Sequence, residues 1–260
     1  MVRVLYAFRG YILTNAWSEL RVRYAGTALG ILWNVIHPIT IVAVLSVVFS
    51  ELLPGRVGIN GETDITLYLA TGLLPWVVFT DCVVRGTQAL ADNAVFLKKL
   101  PIPEEVFVAK TALGSMFYLL IVLMLLFALC GLSGRLHVAA WPGMVAVGVL
   151  FILMGFGFSL ALSALNVFLR DVAQIVPVLL QIGMWLLPIL YPIELAPPVL
   201  RSAMAWMPFY PFLLAGRELL LHGAAPSALA WLWMLAWTVG AIAFGSAVLA
   251  RLRAGLRDAL

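Results

Sequence analysis

The segment from Tyr24 to Pro38 reads Tyr-Ala-Gly-Thr-Ala-Leu-Gly-Ile-Leu-Trp-Asn-Val-Ile-His-Pro, and it joins a basic stretch of sequence to a long apolar one. Arg21 and Arg23 precede it, and after it the chain stays mostly apolar as far as Leu53. An indole, an imidazole and a proline thus lie together near the start of a stretch that is long enough to cross a bilayer. Because polar groups in hydrocarbon need partners, this combination predicts a working surface rather than a plain membrane anchor.

The composition predicts an integral membrane protein. Of the 260 residues 64% are hydrophobic and only 11% are charged, which is far too apolar for a soluble domain. The net charge of +4 does not indicate nucleic-acid binding, because the basic residues lie at the ends of apolar segments, where they set topology. We expect no cleaved signal peptide, since the N-terminal residues lack a small-residue cleavage site.

Six segments are apolar over the roughly 20 residues that a spanning helix needs. They are 28–53, 65–84, 106–132, 138–169, 172–191 and 227–250. With both termini cytoplasmic, twelve of the 16 lysines and arginines would lie inside, as the positive-inside bias requires. The sequence therefore predicts an all-α membrane protein with six transmembrane helices in a single domain, 1–260.

The segment 195–221 is apolar but is a poor candidate for a seventh crossing. Four prolines between positions 197 and 211 remove backbone donors, and Arg201 among them is costly in hydrocarbon. We therefore expect two re-entrant half-helices that dip into the outer leaflet between the fifth and sixth crossings. The alternative is an external loop that lies on the bilayer.

Residues 1–26 predict an amphipathic helix on the inner membrane surface. Apolar side chains recur on one helical side, although Arg9 and Glu19 interrupt the pattern. The apolar positions are Leu5, Phe8, Ile12, Leu13, Ala16 and Leu20.

The sequence shows no recognisable catalytic centre, metal site or nucleotide site. His37, His137 and His222 are far apart and show no metal-ligand spacing, and no Gly-x-Ser-x-Gly elbow occurs. A phosphate-binding loop is also missing, because the sequence contains no Gly-Lys dipeptide. We therefore expect a transport protein rather than an enzyme, without a cofactor on this chain. If ATP drives transport, another chain must hydrolyse it.

Two predicted helix faces combine polar and aromatic side chains. Trp33, His37 and Thr40 share a face of the first crossing, and Gln174, Gln181 and Trp185 share a face of the fifth. A shared passage would supply partners for the amides and the imidazole, and its indole faces could stack on sugar rings. Equally, the tryptophans could be packing or interfacial anchors, with the amides joining neighbouring helices.

Two charged pairs are predicted to be structural ion pairs. Asp81 and Arg85 stand one helical turn apart near the inner end of the second crossing, which favours an ion pair over a gating role. Arg170 and Asp171 form the short inner turn between the fourth and fifth crossings, where we expect them to set orientation and start the next helix.

The inner loop 88–105 is predicted to carry an apolar knob on a short amphipathic helix, followed by two lysines and a proline stop. Its residues are Phe96, Leu97, Lys98, Lys99 and Pro101. An exposed apolar knob on a cytoplasmic loop fits a groove of a partner protein. The alternative is a helix that rests on the lipid surface.

These features together resemble the membrane subunit of ABC-2-type polysaccharide exporters, the permeases for O-antigen, teichoic acid and capsule. The stretch 24–33, followed by Pro38, is similar to that family's Tyr-x-x-Ser-x-Leu-Gly-x-x-Trp signature, with Thr27 in place of serine. Three later stretches also resemble family motifs, namely 96–101, 169–172 and 187–192. Met207 before Pro208 replaces the family's usual asparagine.

The resemblance implies a homodimer with six crossings per chain, an interfacial N-terminal helix and external half-helices. Two copies of a separate ATPase subunit, which would hold ATP and magnesium, would dock beneath and receive the loop 88–105 as a coupling helix. An aromatic passage would run between the first and fifth crossings of the two chains. Its implied lining is Trp33, His37, Trp76, Phe79, Gln181, Trp185 and Tyr191, and Gln174 joins them because it shares the face of Gln181.

We therefore expect an ATP-driven exporter subunit that moves a lipid-linked polysaccharide across the bacterial inner membrane, with both termini cytoplasmic. Periplasmic export proteins could be a further partner. One alternative is an exporter of a small lipid or drug, and another is a passive channel. A membrane glycosyl or acyl transferase is a third, for which His37 and Asp81 would be the best available pair.

Overall fold

The computed structural model describes residues 1–23, 29–52 and 65–259, and within these ranges the chain forms helices and no strand. The first part of the signature, 24–28, and the predicted loop after Leu52 lie outside the described residues. The helices are α1 (Val2–Ala7), α2 (Arg9–Arg23), α3 (Trp33–Leu52), α4 (Ile65–Asp92), α5 (Ala94–Lys99), α6 (Glu104–Leu132), α7 (Trp141–Phe168), α8 (Val172–Leu186), α9 (Pro198–Ala205), α10 (Tyr210–His222) and α11 (Ala228–Ala259).

Five of the described helices are long and apolar enough to cross a membrane, namely α3, α4, α6, α7 and α11. The predicted fifth crossing, 172–191, is shorter than expected, because α8 ends at Leu186 after 15 residues. Pro188 disfavours helical geometry at the residue before it, and Leu187 is extended, with φ −85° and ψ 151°. By helix length the structure thus supports five spans, and α8 is an apolar helix that falls below the usual spanning length.

Prolines and glycines set several other helix ends. Pro101 follows an extended Leu100 and separates α5 from α6, while Pro103 directly precedes α6. α10 has Pro211 in its first turn and ends at Gly223, whose φ of +64° is the left-handed conformation of a helix C-cap. The segment 195–221, which was predicted to hold two short helices, contains α9 and α10, and a short turn joins them.

The centre of the protein is α4, which packs against α3, α6, α7, α8 and α10. It is longer than the predicted crossing 65–84, because the helix continues through Gly86 as far as Asp92. The beginning of the predicted loop 88–105 therefore belongs to α4. Residues from all parts of α4 are buried, including Leu67, Phe79 and Leu90.

The N-terminal helices α1 and α2 pack on α6. Ile12 and Ala16 of the predicted apolar side are buried in the protein, whereas Leu13 is exposed. The predicted apolar side was drawn as one continuous helix, whereas α1 ends at Ala7 and α2 begins at Arg9. The side of α2 that contacts protein therefore also includes Tyr11, whose ring meets Phe107 edge to face at 6.2 Å.

α7 and α11 make the closest helix contact in the described chain, with glycines at the crossing. A Cβ added to Gly157 would lie 2.5 Å from the carbonyl carbon of Ala241, which is backbone and cannot rotate away. Small residues let membrane helices approach this closely.

Gly157→Ala should therefore destabilise the protein by about 1–3 kcal/mol, because the helices must separate to admit the methyl group. The measurement is the thermal unfolding midpoint of the purified protein. Gly240→Ala on α11 is the matched control, since a Cβ there meets nothing within 4 Å. Equal midpoints for the two variants would contradict the close-packing argument.

A buried charge cluster ties the end of α11 to the start of α6. Arg253 Nε lies 3.0 Å from Glu104 Oε2, and its Nη2 lies 2.6 Å from Glu105 Oε2. Both carboxylates are buried, while the arginine is half exposed. The arginine therefore compensates two charges that would be costly to bury alone.

Arg253→Gln should lower stability by about 1–3 kcal/mol, because two buried carboxylates lose their charged donor. Arg251→Gln is the control, since Arg251 is an exposed neighbour on the same helix. Thermal unfolding of both variants at neutral pH makes the comparison. A wild-type midpoint for Arg253→Gln would show that the cluster adds nothing.

Candidate functional site

Both predicted polar and aromatic faces are open at the surface of the protomer. Trp33, His37 and Thr40 on α3 and Gln174, Gln181 and Trp185 on α8 are all exposed. Both helices pack against the central helix α4. Within the described part of the chain, neither glutamine makes a hydrogen bond. These amides therefore require a partner outside the protomer if they lie in the membrane.

The face on α3 borders a cavity of about 400 Å³ between α3, α4 and α6. Trp33 and His37 line this cavity together with Asp81 of α4 and Tyr118 of α6. The structure thus brings His37 and Asp81, the best pair for a membrane enzyme, to one cavity. Asp81 is already engaged, however, because its Oδ2 accepts hydrogen bonds from Arg85 Nη2 at 2.7 Å and Ser115 Oγ at 3.0 Å. It is better suited to hold a charge in place than to accept a substrate proton.

The structure corrects the predicted placement of Trp76 and Phe79. Their exposed fractions are only 3% and 1%, so neither ring reaches an open face of the protomer. Phe79 stacks on Phe151 of α7 with ring centroids 4.4 Å apart, and Trp76 stacks on Phe79 at 5.7 Å. Phe209 contacts both rings and joins the start of α10 to this aromatic cluster. The cluster packs the protomer core, which explains why aromatic residues occur there.

Tyr191 holds the end of α8. Its hydroxyl donates to the carbonyl oxygens of Trp185 at 3.0 Å and Leu186 at 3.3 Å, which are among the last carbonyls of the helix. Its own carbonyl oxygen accepts a hydrogen bond from the Tyr68 hydroxyl at 3.1 Å. The residue predicted to line a passage thus fixes the backbone where α8 stops.

Arg217 on α10 is buried inside the protomer. The sequence had predicted only that it is one of the four basic residues on the outer side of the membrane. Only 8% of it is exposed, its guanidinium lies 3.9 Å from the centre of the Tyr68 ring, and Nη2 donates to the Ile189 carbonyl at 3.1 Å. A cavity of about 350 Å³ adjoins it, bordered also by Glu194 and Glu218. The available signal was the charged pair of Arg217 and Glu218 between the apolar residues of the stretch 212–221.

Arg201, on which the sequence analysis concentrated, has a local role instead. Its Nε donates to the Ala196 carbonyl at 2.8 Å, and its Nη2 donates to the Glu194 carbonyl. The exposed arginine thus closes the turn that leads into α9. Its charge does not enter the protein interior.

Charged groups on α2, on the C-terminal half of α4 and on the N-terminal half of α6 form a set that we call the inner charge network, after its predicted side of the membrane. The predicted pair of Asp81 and Arg85 is present, with Arg85 Nη2 also donating to Ser115 at 2.9 Å. Glu19, which interrupts the apolar pattern of the N-terminal segment, reaches Arg85 at 3.4 Å and Lys110 at 3.5 Å. Interhelical contacts therefore explain a residue that the helical periodicity could not.

Arg170 and Asp171 do not form the predicted ion pair, and in the described ranges neither makes a salt bridge. Neighbouring residues on a helical turn do not face each other. Asp171 has helical φ and ψ and makes no capping bond with its side chain. Asn166 takes that role, because its Oδ1 accepts a hydrogen bond from the Ala173 amide at 3.1 Å.

The predicted knob is only half exposed. Phe96 is 52% exposed and Leu97 is completely buried. Successive residues of a helix point about 100° apart, so α5 presents Phe96 outward and anchors itself through Leu97. Lys98, Lys99 and Pro101 are exposed, as the predicted contact with a partner requires.

The comparisons with known proteins agree on one family. Residues 11–221 match the model of the ABC-2 type transporter family. The O-antigen export system permease protein RfbA of Myxococcus xanthus is 30% identical over 197 residues, covering 75% of this chain and 73% of that protein. The protein of the same name from Klebsiella pneumoniae is 26% identical, covering 82% and 80%. The polysialic acid transport protein KpsM of Escherichia coli is 20% identical, covering 79% of each chain.

The matched region runs from α2 to the end of α10 and therefore includes both exposed faces, the inner charge network and the Arg217 cluster. The relatives are named as permeases or transport proteins, not as enzymes. The apolar helices, the engaged state of Asp81 and this match lead to one conclusion. The chain belongs to the ABC-2 type transporter family and is a multi-pass membrane permease.

Proposed function

We propose that this chain is the membrane subunit of an ATP-driven exporter that moves a lipid-linked polysaccharide out across the bacterial inner membrane. The observation that carries the proposal is the pair of exposed amide and indole faces on α3 and α8, in a chain whose relatives are named for O-antigen and polysialic acid export.

The chemistry of these two faces suits a sugar polymer. Gln181 and His37 can exchange hydrogen bonds with hydroxyl groups, while Trp33 and Trp185 offer flat rings to the apolar faces of sugars. Each aromatic contact contributes about 1 kcal/mol, by analogy with aromatic pairs in proteins. Many weak contacts in series favour a polymer that slides over one that is held tightly.

Two copies of the chain would enclose the passage, because both faces are open in the single protomer. A homodimer would bring the faces of the two copies together and remove the exposed amides from lipid. Each copy would bind one ATPase subunit, which holds ATP and magnesium, through α5. Nucleotide-driven closure of the ATPases would then separate the helices that line the passage.

The short helix α8, together with the residues that follow it, can form the fifth of the six proposed crossings. At about 1.5 Å per residue α8 spans ~22 Å, and the turn and bend of residues 187–191 that follow it would supply the rest of a ~30 Å core. Irregular backbone is tolerated at that depth only where protein satisfies it. Arg217 and Tyr68 do so for the carbonyls of Ile189 and Tyr191, and α9 and α10 would form the re-entrant outer segment.

In this arrangement α1 and α2 lie on the inner surface, both termini are cytoplasmic, and 1–260 is a single domain. Arg253 and the inner charge network then face the cytoplasm, where the basic residues of a membrane protein concentrate. Periplasmic proteins that continue the export path would meet the outer ends of α9 and α10.

Phe96→Asp should abolish stable binding of the ATPase subunit, because a charge replaces the apolar group that would enter its groove. Loss of at least about 2 kcal/mol of binding energy is typical of such an anchor. The measurement is the amount of ATPase that co-purifies with the permease. Val199→Asp is the control, since Val199 on α9 is also an exposed apolar residue but lies on the opposite side of the predicted membrane. Normal co-purification and export by Phe96→Asp would contradict the assignment of α5.

Trp33→Ala should slow polysaccharide export severalfold while ATPase binding stays normal, because one stacking contact along the passage is lost. Export is measured as the surface polymer of cells that depend on this permease. Trp233→Ala provides a matched control, since Trp33 and Trp233 are both 46% exposed but Trp233 lies on α11. Equal export by the two variants would remove α3 from the proposed passage.

A further inference from the structure

The side chain of one residue directly before α5, Asn93, forms hydrogen bonds to both α4 and α6. Asn93 separates α4 from α5. Its Nδ2 donates to the Ala89 carbonyl of α4 at 2.7 Å, and its Oδ1 accepts from Lys110 Nζ of α6 at 2.9 Å. Any displacement of α5 must therefore act on Lys110.

Lys110 is in turn connected to α4 through Glu19 of α2. One oxygen of this carboxylate lies 3.5 Å from Lys110 Nζ, and the other lies 3.4 Å from Arg85 Nη1. Arg85 also holds Asp81 at 2.7 Å. Glu19 thus joins the side of the network that carries α5 to the side that carries Asp81.

The two sides of the network differ in tightness. The bond between Arg85 and Asp81 has the length of a strong charge-assisted hydrogen bond, which is about 2.7–2.9 Å. Both contacts of Glu19 are longer, and its Oε2 is buried without a hydrogen-bond partner in the described chain. Glu19 is therefore the member that can shorten its contacts when the helices shift.

The network also lies between two cavities. Phe96, Glu19 and Arg85 border a cavity of about 430 Å³ on the side of α5. Asp81 borders the cavity of about 400 Å³ that contains Trp33 and His37. A movement that enters at α5 through Asn93 and Lys110 can thus reach the cavity beside α3 through Glu19, Arg85 and Asp81.

We propose that Glu19 is a positioning residue that transmits movement of α5 to Arg85, Asp81 and the face of α3. The proposal rests on the proposed function, because it needs a nucleotide-driven movement of α5. Shortening of the Glu19 contacts draws Lys110 and Arg85 together, and the Asp81 side chain shifts with Arg85. Glu19 makes no contact with the polymer.

The test uses the complex of permease and ATPase in lipid nanodiscs, with a reporter cysteine introduced as His37→Cys. A membrane-impermeant maleimide labels this position, while the native Cys82 and Cys130 are buried and give little background. We expect the labelling rate to change when ATP and vanadate trap the closed ATPases. Adding Glu19→Gln should reduce that change by about fivefold, with co-purification of the ATPase and the unfolding midpoint unaltered.

Ser18→Ala is the matched control. Ser18 is the neighbour of Glu19, borders the same cavity and bonds only within its own helix, to the Thr14 carbonyl at 3.0 Å. It should leave the nucleotide response of the reporter intact.

A double variant separates transmission from a general structural effect. If Glu19 and Lys110 act through each other, the double variant Glu19→Gln, Lys110→Gln should lose no more of the nucleotide response than the single variant that has the larger loss. Losses that simply add would overturn the proposal, as would a full response in Glu19→Gln. Absence of any nucleotide response with Glu19 intact would overturn the proposed function, and this proposal with it.

Discussion

A membrane protein cannot leave backbone carbonyls without hydrogen bonds at bilayer depth, and in the proposed topology this constraint governs the structure at the break after α8. Pro188 ends the helix and frees the carbonyls that follow. Arg217 donates a hydrogen bond to the Ile189 carbonyl oxygen, and the Tyr68 hydroxyl donates one to the Tyr191 carbonyl oxygen. Gly72 on α4 leaves room for this approach, because a Cβ there would lie 3.0 Å from Arg217 Nη2 and 3.3 Å from the Ile189 oxygen.

The same helix organises the rest of the protomer. From the N-terminal to the C-terminal end of α4, Tyr68 supports the break, Trp76 and Phe79 build the aromatic core, and Asp81 with Arg85 forms the charge network. Apolar packing fills the middle of the helix, where hydrogen-bond partners are scarce, and paired charges occupy its C-terminal half. One long helix thus connects the irregular segment after α8 with the region beside α5.

The sequence predicts this architecture where the signal is local. Long apolar runs locate α3, α4, α6, α7 and α11 to within several residues, and a spacing of four identifies the pair of Asp81 and Arg85. The sequence did not predict contacts between side chains of different helices. Periodicity could not show that Glu19 meets Arg85, that Leu97 turns inward beside an exposed Phe96, or that Trp76 and Phe79 stack inside the protomer. The length of α8 was overestimated because hydropathy ignores the effect of Pro188 on Leu187.

Polar groups with partners inside the protomer stabilise it, whereas exposed polar groups on its apolar helices mark surfaces that other molecules can contact. Asp81, Arg85, Glu104 and Glu105 find partners within the described chain, as buried charges must. Gln181 is exposed on α8 between apolar neighbours and makes no hydrogen bond in the described ranges. An amide at that position is unfavourable against lipid and favourable against water, sugar hydroxyls or a second copy of the chain. These exposed groups on α3 and α8 are the ones that the proposed passage between two copies would satisfy, with the same surfaces that would guide a polymer.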